Sequence, residues 1–478
     1  MQRTVTQTKP PKTGFENPAL TLAAMSLGYG VVQLDVTIVN TAMPAIGSSL
    51  AANIPELQWI VSAYTIAFAA FILTAGALGD RLGAKKVFVA GFAIFTVASL
   101  ACALAPTAPS LIAFRAIQGV GAAVLVPNSL ALLNHAFRDE KERGRAVGYW
   151  AAGASLALTA GPFAGGALVA LAGWRSIFFV NLPIGLAGLW LTWKYVGETP
   201  GTRGRSLDLM GQILAVAVLG CLAYATIEAG AHGAGDTGVL AAFALFLAAM
   251  VLFIVRESRT RQPMLPLSLF SGAMFARTAL IGLLVNIAFY GLIFVLSLYF
   301  QTVEKRSAFE TGLAFIPMMG AILPANLLAS RVSERFGARA AIAAGAAICA
   351  AGCGALLGID PDTSYRAMAL QLVAIGGGLG LLVPPLTSAL LGSVEKERSG
   401  IAAGVLNATR QTGSVIGVAL FGAIVGGAGH FMAGAHAVLL ICIVLLLGSA
   451  CVIALPVRGG SAPSSAGAGV VKSSPRNS

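Results

Sequence analysis

At 478 residues, 57% hydrophobic, only 10% charged and with a mean hydropathy of +0.83, the chain lies far from water-soluble domains, which carry about 25% charged residues. That composition excludes a string of soluble domains and points to an all-α polytopic protein whose solvent is the bilayer. The formal charge of +12 would suit nucleic acid in a soluble protein, but here the basic residues lie in short segments between apolar runs, so no nucleic acid partner is expected.

The basic segment through Lys12 has the look of a signal-peptide start, yet the apolar run behind it is too long and contains Asp35. It is read as a retained first span, preceded by a tail over 1–18. Stretches long enough to cross a bilayer fall at 19–41, 57–79, 87–106, 109–134, 146–171 and 175–196, then at 209–228 and 238–255. They continue at 276–301, 311–330, 339–358, 367–391, 400–427 and 435–456, which makes fourteen helices. With the amino terminus in the cytoplasm, the segments on the outside hold only Arg175, Lys305, Arg306 and Arg366, while Arg115 and Arg410 sit inside spans. All other lysines and arginines fall inside, so an even count with both termini cytoplasmic is expected, in the inner (plasma) membrane.

Internal repetition gives the architecture. Asp80-Arg81-Leu82-Gly83-Ala84-Lys85 is echoed by Glu334-Arg335-Phe336-Gly337-Ala338-Arg339, and Lys141-Glu142-Arg143 by Lys396-Glu397-Arg398, both ~255 residues on. Two six-helix bundles, 19–196 and 276–456, are therefore expected, with linkers and two inserted helices over 197–275 between them. Parallel repeats of this kind place a substrate path at their interface. The Ser/Gly/Ala/Pro-rich stretch 457–478 is expected to be a disordered cytoplasmic tail.

The chemistry begins in the first span. At 1.5 Å per residue, Asp35 would lie roughly 20 to 25 Å from the start of its apolar run, where a charge is functional, paired or expensive. Two readings stand: a carboxylate that only bonds helix to helix, or one that takes up and releases a proton. Arg115 comes early in a span running the other way, so both residues fall in the outer half of the bilayer. A static ion pair is one reading. The other is a guanidinium that favours ionised Asp35 against desolvation, leaving a balance that cavity contents can tip. Gly76 and Gly83 permit a tight turn beside the Asp80–Arg81 charge pair, and within a helix Pro162 removes a hydrogen bond while Gly161, Gly165 and Gly166 allow close approach. Trp174, Trp190 and Trp193 read as interfacial anchors. Asn40, Gln118, Asn286, Tyr290, Tyr299, Asn326 and Arg410 are candidate cavity-lining groups, and sequence alone names no partner for Arg410. Cys102, Cys221, Cys349, Cys353, Cys442 and Cys451 all fall in apolar runs and read as small core residues; no metal, cofactor or catalytic constellation is expected.

These motifs together resemble the major facilitator superfamily, and within it the fourteen-span drug/proton antiporters. Leu34-Asp35-Val36-Thr37-Ile38-Val39-Asn40 is similar to that family's first-helix signature. Gly76 to Lys86 resembles its loop motif GxLaDRxGrk, with Gly79 in place of the small Ala and Ala84 in place of a basic residue. Leu111 to Gly121 resembles the fourth-helix motif, and Ala157 to Gly166 the fifth-helix motif GxxxGPxxGG carried by exporters. Asn407 to Gly413 resembles the segment NtxRQxG. Three further runs, Ala98 to Ala108, Ala225 to Glu228 and Leu298 to Gln301, look closest to the methylenomycin A resistance branch.

The resemblance implies a major facilitator fold and proton-coupled efflux of a small organic compound, an antibiotic or other drug, by alternating access. It implies no cofactor, the proton gradient as energy source, no enzymatic activity, and a monomer partnered by substrate, protons and lipid. Asp35 and Arg115 would couple protons. Gly76, Asp80, Arg81, Gly83 and Lys85 would form a gating loop whose acid latches onto the helix starting near Ser399, and Gly161, Pro162, Gly165 and Gly166 the antiporter helix. Export of a native metabolite on the same fold, or a transport-inactive sensor, are the alternatives that remain.

Overall fold

The structure is a computed structural model that describes residues 17–137, 139–199, 201, 208–260, 262–358, 365–395, 399–427 and 431–455. Residues 1–16 and 456–478 lie outside the described residues; of the expected tails over 1–18 and 457–478, only Asn17 and Pro18 are described, and Pro18 already begins the first helix. Among the described residues are fourteen helices long and apolar enough to cross a membrane. They are α1 (Pro18–Leu50), α2 (Ile54–Leu82), α3 (Ala84–Ala103), α4 (Ala108–Ala136), α5 (Glu140–Ala172), α6 (Ser176–Tyr195) and α7 (Leu209–His232). The rest are α8 (Thr237–Arg259), α9 (Ala273–Val303), α10 (Ala308–Phe336), α11 (Ala338–Ala355), α12 (Tyr365–Gly392), α13 (Ser399–Gly427) and α14 (Phe431–Ala454).

Helix starts are fixed by local chemistry. The Asn17 side chain accepts from the amides of Ala19 and Leu20 ahead of α1, with Pro18 at the first position. Asn53 and Glu56 form a reciprocal capping box at α2. Several spans differ from the hydropathy reading. α1 runs on to Leu50 through Pro44. α6 breaks at Val180, α10 at Phe315, and α9 ends in a π turn over Tyr299–Val303.

The repeat read from the loops reappears in the packing. In the first bundle α1 packs on α5 and α4 on both α2 and α3; in the second, α9 packs on α13 and α12 on both α10 and α11. The bundles meet along two seams, α2 with α13 and α5 with α10, and the inserted α7 lies against both α2 and α13. Gln212 of α7 donates from Nε2 to the Ala70 carbonyl at 3.1 Å and accepts from Thr74 at 2.6 Å, while a methyl group at Gly230 would overlap Ala423. Most of α8 is uncovered, and it packs on α7. We call the end of the molecule that carries the Leu82–Ala84 turn the basic end and the opposite one the far end.

Candidate functional site

Asp35 stands 17 residues into α1, ~25 Å along its axis, and is fully buried inside the first bundle. The orientation of α4, which starts at the far end, brings Arg115 to the same depth. Arg115 Nη1 donates to Asp35 Oδ2 at 2.5 Å and to Gln118 Oε1 at 2.6 Å, and its Nε donates to the Ile60 carbonyl at 3.2 Å. Gln118 Nε2 donates to Asp35 Oδ1 at 2.8 Å and to Ser99 Oγ at 2.8 Å. Asn181 Nδ2 donates to Asp35 Oδ1 at 3.0 Å. The guanidinium lies 4.2 Å from the Tyr64 ring centroid and 5.8 Å from that of Phe178. A buried ion pair needs partners for its remaining lone pairs and protons, and here Gln118, Asn181 and the Ile60 carbonyl supply them, while Asn181 Oδ1 is left without one among the described residues.

The α5 motif binds α5 to α1 at the level just beyond this cluster. Pro162 has no N–H for the Leu158 carbonyl, and Thr37 of α1 donates its hydroxyl to that oxygen at 3.0 Å. A methyl group at Gly161 would overlap Thr37 Oγ1, and one at Gly165 would overlap Thr41 Oγ1. Gly166 faces the other bundle, where a methyl group would overlap the Ala308 carbonyl of α10, and Gly312 reciprocates against the Pro162 carbonyl. The proline and glycines thus join three helices, two in one bundle and one in the other.

Bonds between the bundles gather at the far end. Ser297 Oγ donates to the Asn40 carbonyl at 2.6 Å, Gln301 Nε2 to the Thr41 carbonyl at 3.1 Å, and Gln58 Nε2 to the Ala419 carbonyl at 2.8 Å. At the basic end the first half of α5 is largely exposed, and a methyl group at Gly144 or Gly148 would meet nothing within 4 Å.

The turn after α2 docks on the segment that follows α6. Gly83 has φ +96°, a conformation that suits glycine, and a methyl group there would overlap the Thr199 carbonyl. The Lys85 amide donates to Thr199 Oγ1 at 3.2 Å and Lys85 Nζ lies 3.3 Å from Glu198 Oε1. Asp80 and Arg81 are exposed at the end of α2, and a methyl group at Gly76 would lie 3.7 Å from Pro127. The expected latch point near Ser399 adjoins residues 396–398, which lie outside the described residues.

The remaining candidates divide. Gln118 belongs to the Asp35 cluster and not to the space between bundles. Asn40 is buried, its amide donating to the Val36 carbonyl of its own helix at 3.1 Å. Tyr299 is buried in the π turn, with ring centroids of Phe300 and Phe431 at 5.7 and 6.4 Å. Asn286 is half-buried and donates to the Gly282 carbonyl at 2.7 Å, and Asn326 is half-buried on α10. Arg410, half-buried on α13, donates to Thr387 Oγ1 at 2.8 Å.

Two site residues escape the sequence reading. Asn181 and Ser99 both belong to the cluster, and Asn181 is brought to Asp35 by the break at Val180. Trp174, expected as an interfacial anchor, is only 5% exposed: its ring packs edge-on to Phe178 and under the Arg175 guanidinium, while Trp190 and Trp193 do lie exposed. Burial follows because α6 turns in at its start to carry Phe178 and Asn181 toward Arg115.

The family model described as Major Facilitator Superfamily matches residues 25–418. The chain is 37% identical over 415 residues to the methylenomycin A resistance protein of Bacillus subtilis (strain 168), covering 87% of this chain and 89% of that one. It is 39% identical over 410 residues to the multidrug resistance protein Stp of Mycobacterium tuberculosis (strain CDC 1551 / Oshkosh), covering 85% and 75%. Among solved structures, the human organic anion transporter MFSD10 (TETRAN) superposes with a TM-score of 0.64 over 93% of this chain and 100% of that one, at 16% identity, a likeness of fold alone.

Proposed function

Because this chain belongs to the Major Facilitator Superfamily, we propose that it expels a small organic compound, an antibiotic or other drug, across the cell membrane in exchange for protons, by alternating access. Relatives that share most of its length are named for drug resistance, which supports the export of drugs. The observation that carries proton coupling is Asp35, a carboxylate with no solvent exposure inside a membrane span, held by Arg115, Gln118 and Asn181. The excess of basic residues at one end supports placing that end, and both termini, in the cytoplasm.

Substrate enters from the basic end, between bundles joined at the far end. Rocking about the α2–α13 and α5–α10 seams breaks the Asn40–Ser297 and Thr41–Gln301 contacts and opens the far end. In that state the α1–α6 cluster loosens, Asp35 takes a proton from outside, and its return to the arrangement described above releases the proton inward. Gly76, Asp80, Arg81, Gly83 and Lys85 restrain the basic end until substrate binds. The test is a drug-susceptibility panel in an efflux-deficient host, followed by gradient-driven uptake of methylenomycin A into inverted vesicles. Asp35→Asn is expected to abolish uphill uptake and resistance; uphill uptake at the wild-type rate in that variant would remove Asp35 from coupling.

A further inference from the structure

At the basic end, where α7 begins and α8 finishes, stand two carboxylates that the exchange proposed above does not use. Asp208 caps α7: its Oδ1 accepts from the Gly211 amide at 2.9 Å and lies 3.3 Å from Arg256 Nη2 of α8. Glu257, the next residue on α8, is only 2% exposed, and its Oε2 accepts from the Leu265 amide at 2.8 Å. Each acid has one oxygen left over, for Asp208 Oδ2 and Glu257 Oε1 are both buried without a hydrogen-bond partner. These two oxygens converge. A methyl group on Gly211 would lie 2.7 Å from Glu257 Oε1 and 3.1 Å from Asp208 Oδ2, so both are aimed at one spot beside that glycine.

Keeping two buried carboxylates ionised at one spot is costly unless something positive lies between them. Arg256 reaches Asp208 on its Oδ1 side, with 46% of its side chain in solvent. A metal ion suits the spot poorly, because the adjoining amino-terminal end of α7 carries the positive end of the helix dipole and disfavours a second cation. Nor do the described residues offer a group of three or more His, Cys, Asp or Glu side chains to hold one. A proton suits it well: bound to one oxygen it donates to the other, which satisfies both. The charged groups facing Glu257 are Asp208 and Arg256, and α2 adds only the uncharged Thr74, whose hydroxyl donates to Met264 Sδ at 3.2 Å.

What hangs on the pair is the segment 262–271 that joins α8 to α9. Glu257 holds it by the Leu265 amide and Thr74 by Met264. Its Leu265, Leu269 and Phe270 belong to one apolar cluster with Leu73 of α2, Leu390 of α12 and Val405 of α13, so the segment is a strap that touches both bundles.

We propose that Asp208 and Glu257 form a second proton-binding site, separate from Asp35, whose single shared proton fastens this strap across the basic end. With the proton bound, each acid completes the other. When rising pH takes it to solvent, the pair gains one negative charge, like charges face each other, and the strap loosens. The site is independent of what the chain exports. Hydrogen exchange of the purified full chain in detergent tests it, read by mass spectrometry on peptides spanning 262–271 and corrected for the intrinsic rate at each pH. Protection in the wild type is expected to fall about tenfold between about pH 6 and about pH 9, and to stay level in Glu257→Gln, whose amide donates as the proton does. Asp208→Asn, which places the donor on the other side, is expected to stay level too. Infrared difference spectra over the same range are expected to show a carboxylic-acid stretch that the wild type loses and Glu257→Gln lacks. Wild-type protection that ignores pH, an equal fall in Glu257→Gln, or protection that rises with added calcium instead would each overturn the proposal. If Glu257→Gln does not fold, Asp208→Asn carries the comparison, and an equal fall there overturns it.

Discussion

Three N–H donors meet the Asp35 carboxylate, two at Oδ1 and one at Oδ2, and a proton bound there would weaken the bonds that Arg115, Gln118 and Asn181 make to it. In the proposed exchange, proton uptake would therefore loosen the cluster, tying the charge of one residue to the packing of four helices. Asn181→Leu removes a donor to a charged acceptor, worth about 1.5–3 kcal/mol, and is expected to cut gradient-driven export at least tenfold with the folded yield preserved. Unaltered vesicle uptake in that variant would leave Asn181 a mere spacer. Asp35 and Arg115 are legible in sequence because charges in apolar runs are rare; Gln118, read there as a cavity-lining group, joins them because it lies one helical turn from Arg115 on the same face. Asn181 and Ser99 are not, since neutral polar residues are common in membrane helices and only the assembled bundle decides which carboxylate they meet.

At the level of helices, Gly79 shows why this chain departs from the family's usual small residue at that position. Asn128 of α4 donates to the Ala75 carbonyl of α2 at 3.2 Å and to Val124 at 2.8 Å, which lays its amide across Gly79 where a methyl group would overlap it. The glycine and the asparagine are therefore a matched pair. Gly79→Ala alone is expected to lower the monodisperse yield on size-exclusion chromatography, and Gly79→Ala with Asn128→Ala to recover most of it; failure of the second change to help would place the strain elsewhere. The spans themselves were readable from hydropathy, since length and apolarity suffice for a bilayer. The breaks at Val180 and Phe315 and the π turn at Tyr299 were not, because each is imposed by a neighbour and leaves no periodic trace. Trp174 was misplaced for the same reason: its position at the end of a span is that of a headgroup anchor, and only the inward bend of α6 buries it.

For the whole molecule, the proposed alternating access requires the far-end contacts between bundles to come undone in each cycle. Thr41→Cys with Gln301→Cys, in a background without the six native cysteines, joined by a short reducible cross-linker, is expected to stop export and to restore it on reduction. Export that continues while the link is intact would mean the α1–α9 contact does not part. The depth of Asp35 has a further outcome: it stands ~25 Å along α1, well inside the span. In the proposed exchange a proton that passes through Asp35 carries its charge across the membrane, so the voltage, at ~2.3 kcal/mol per charge per 100 mV, would drive export of a neutral compound together with the pH difference.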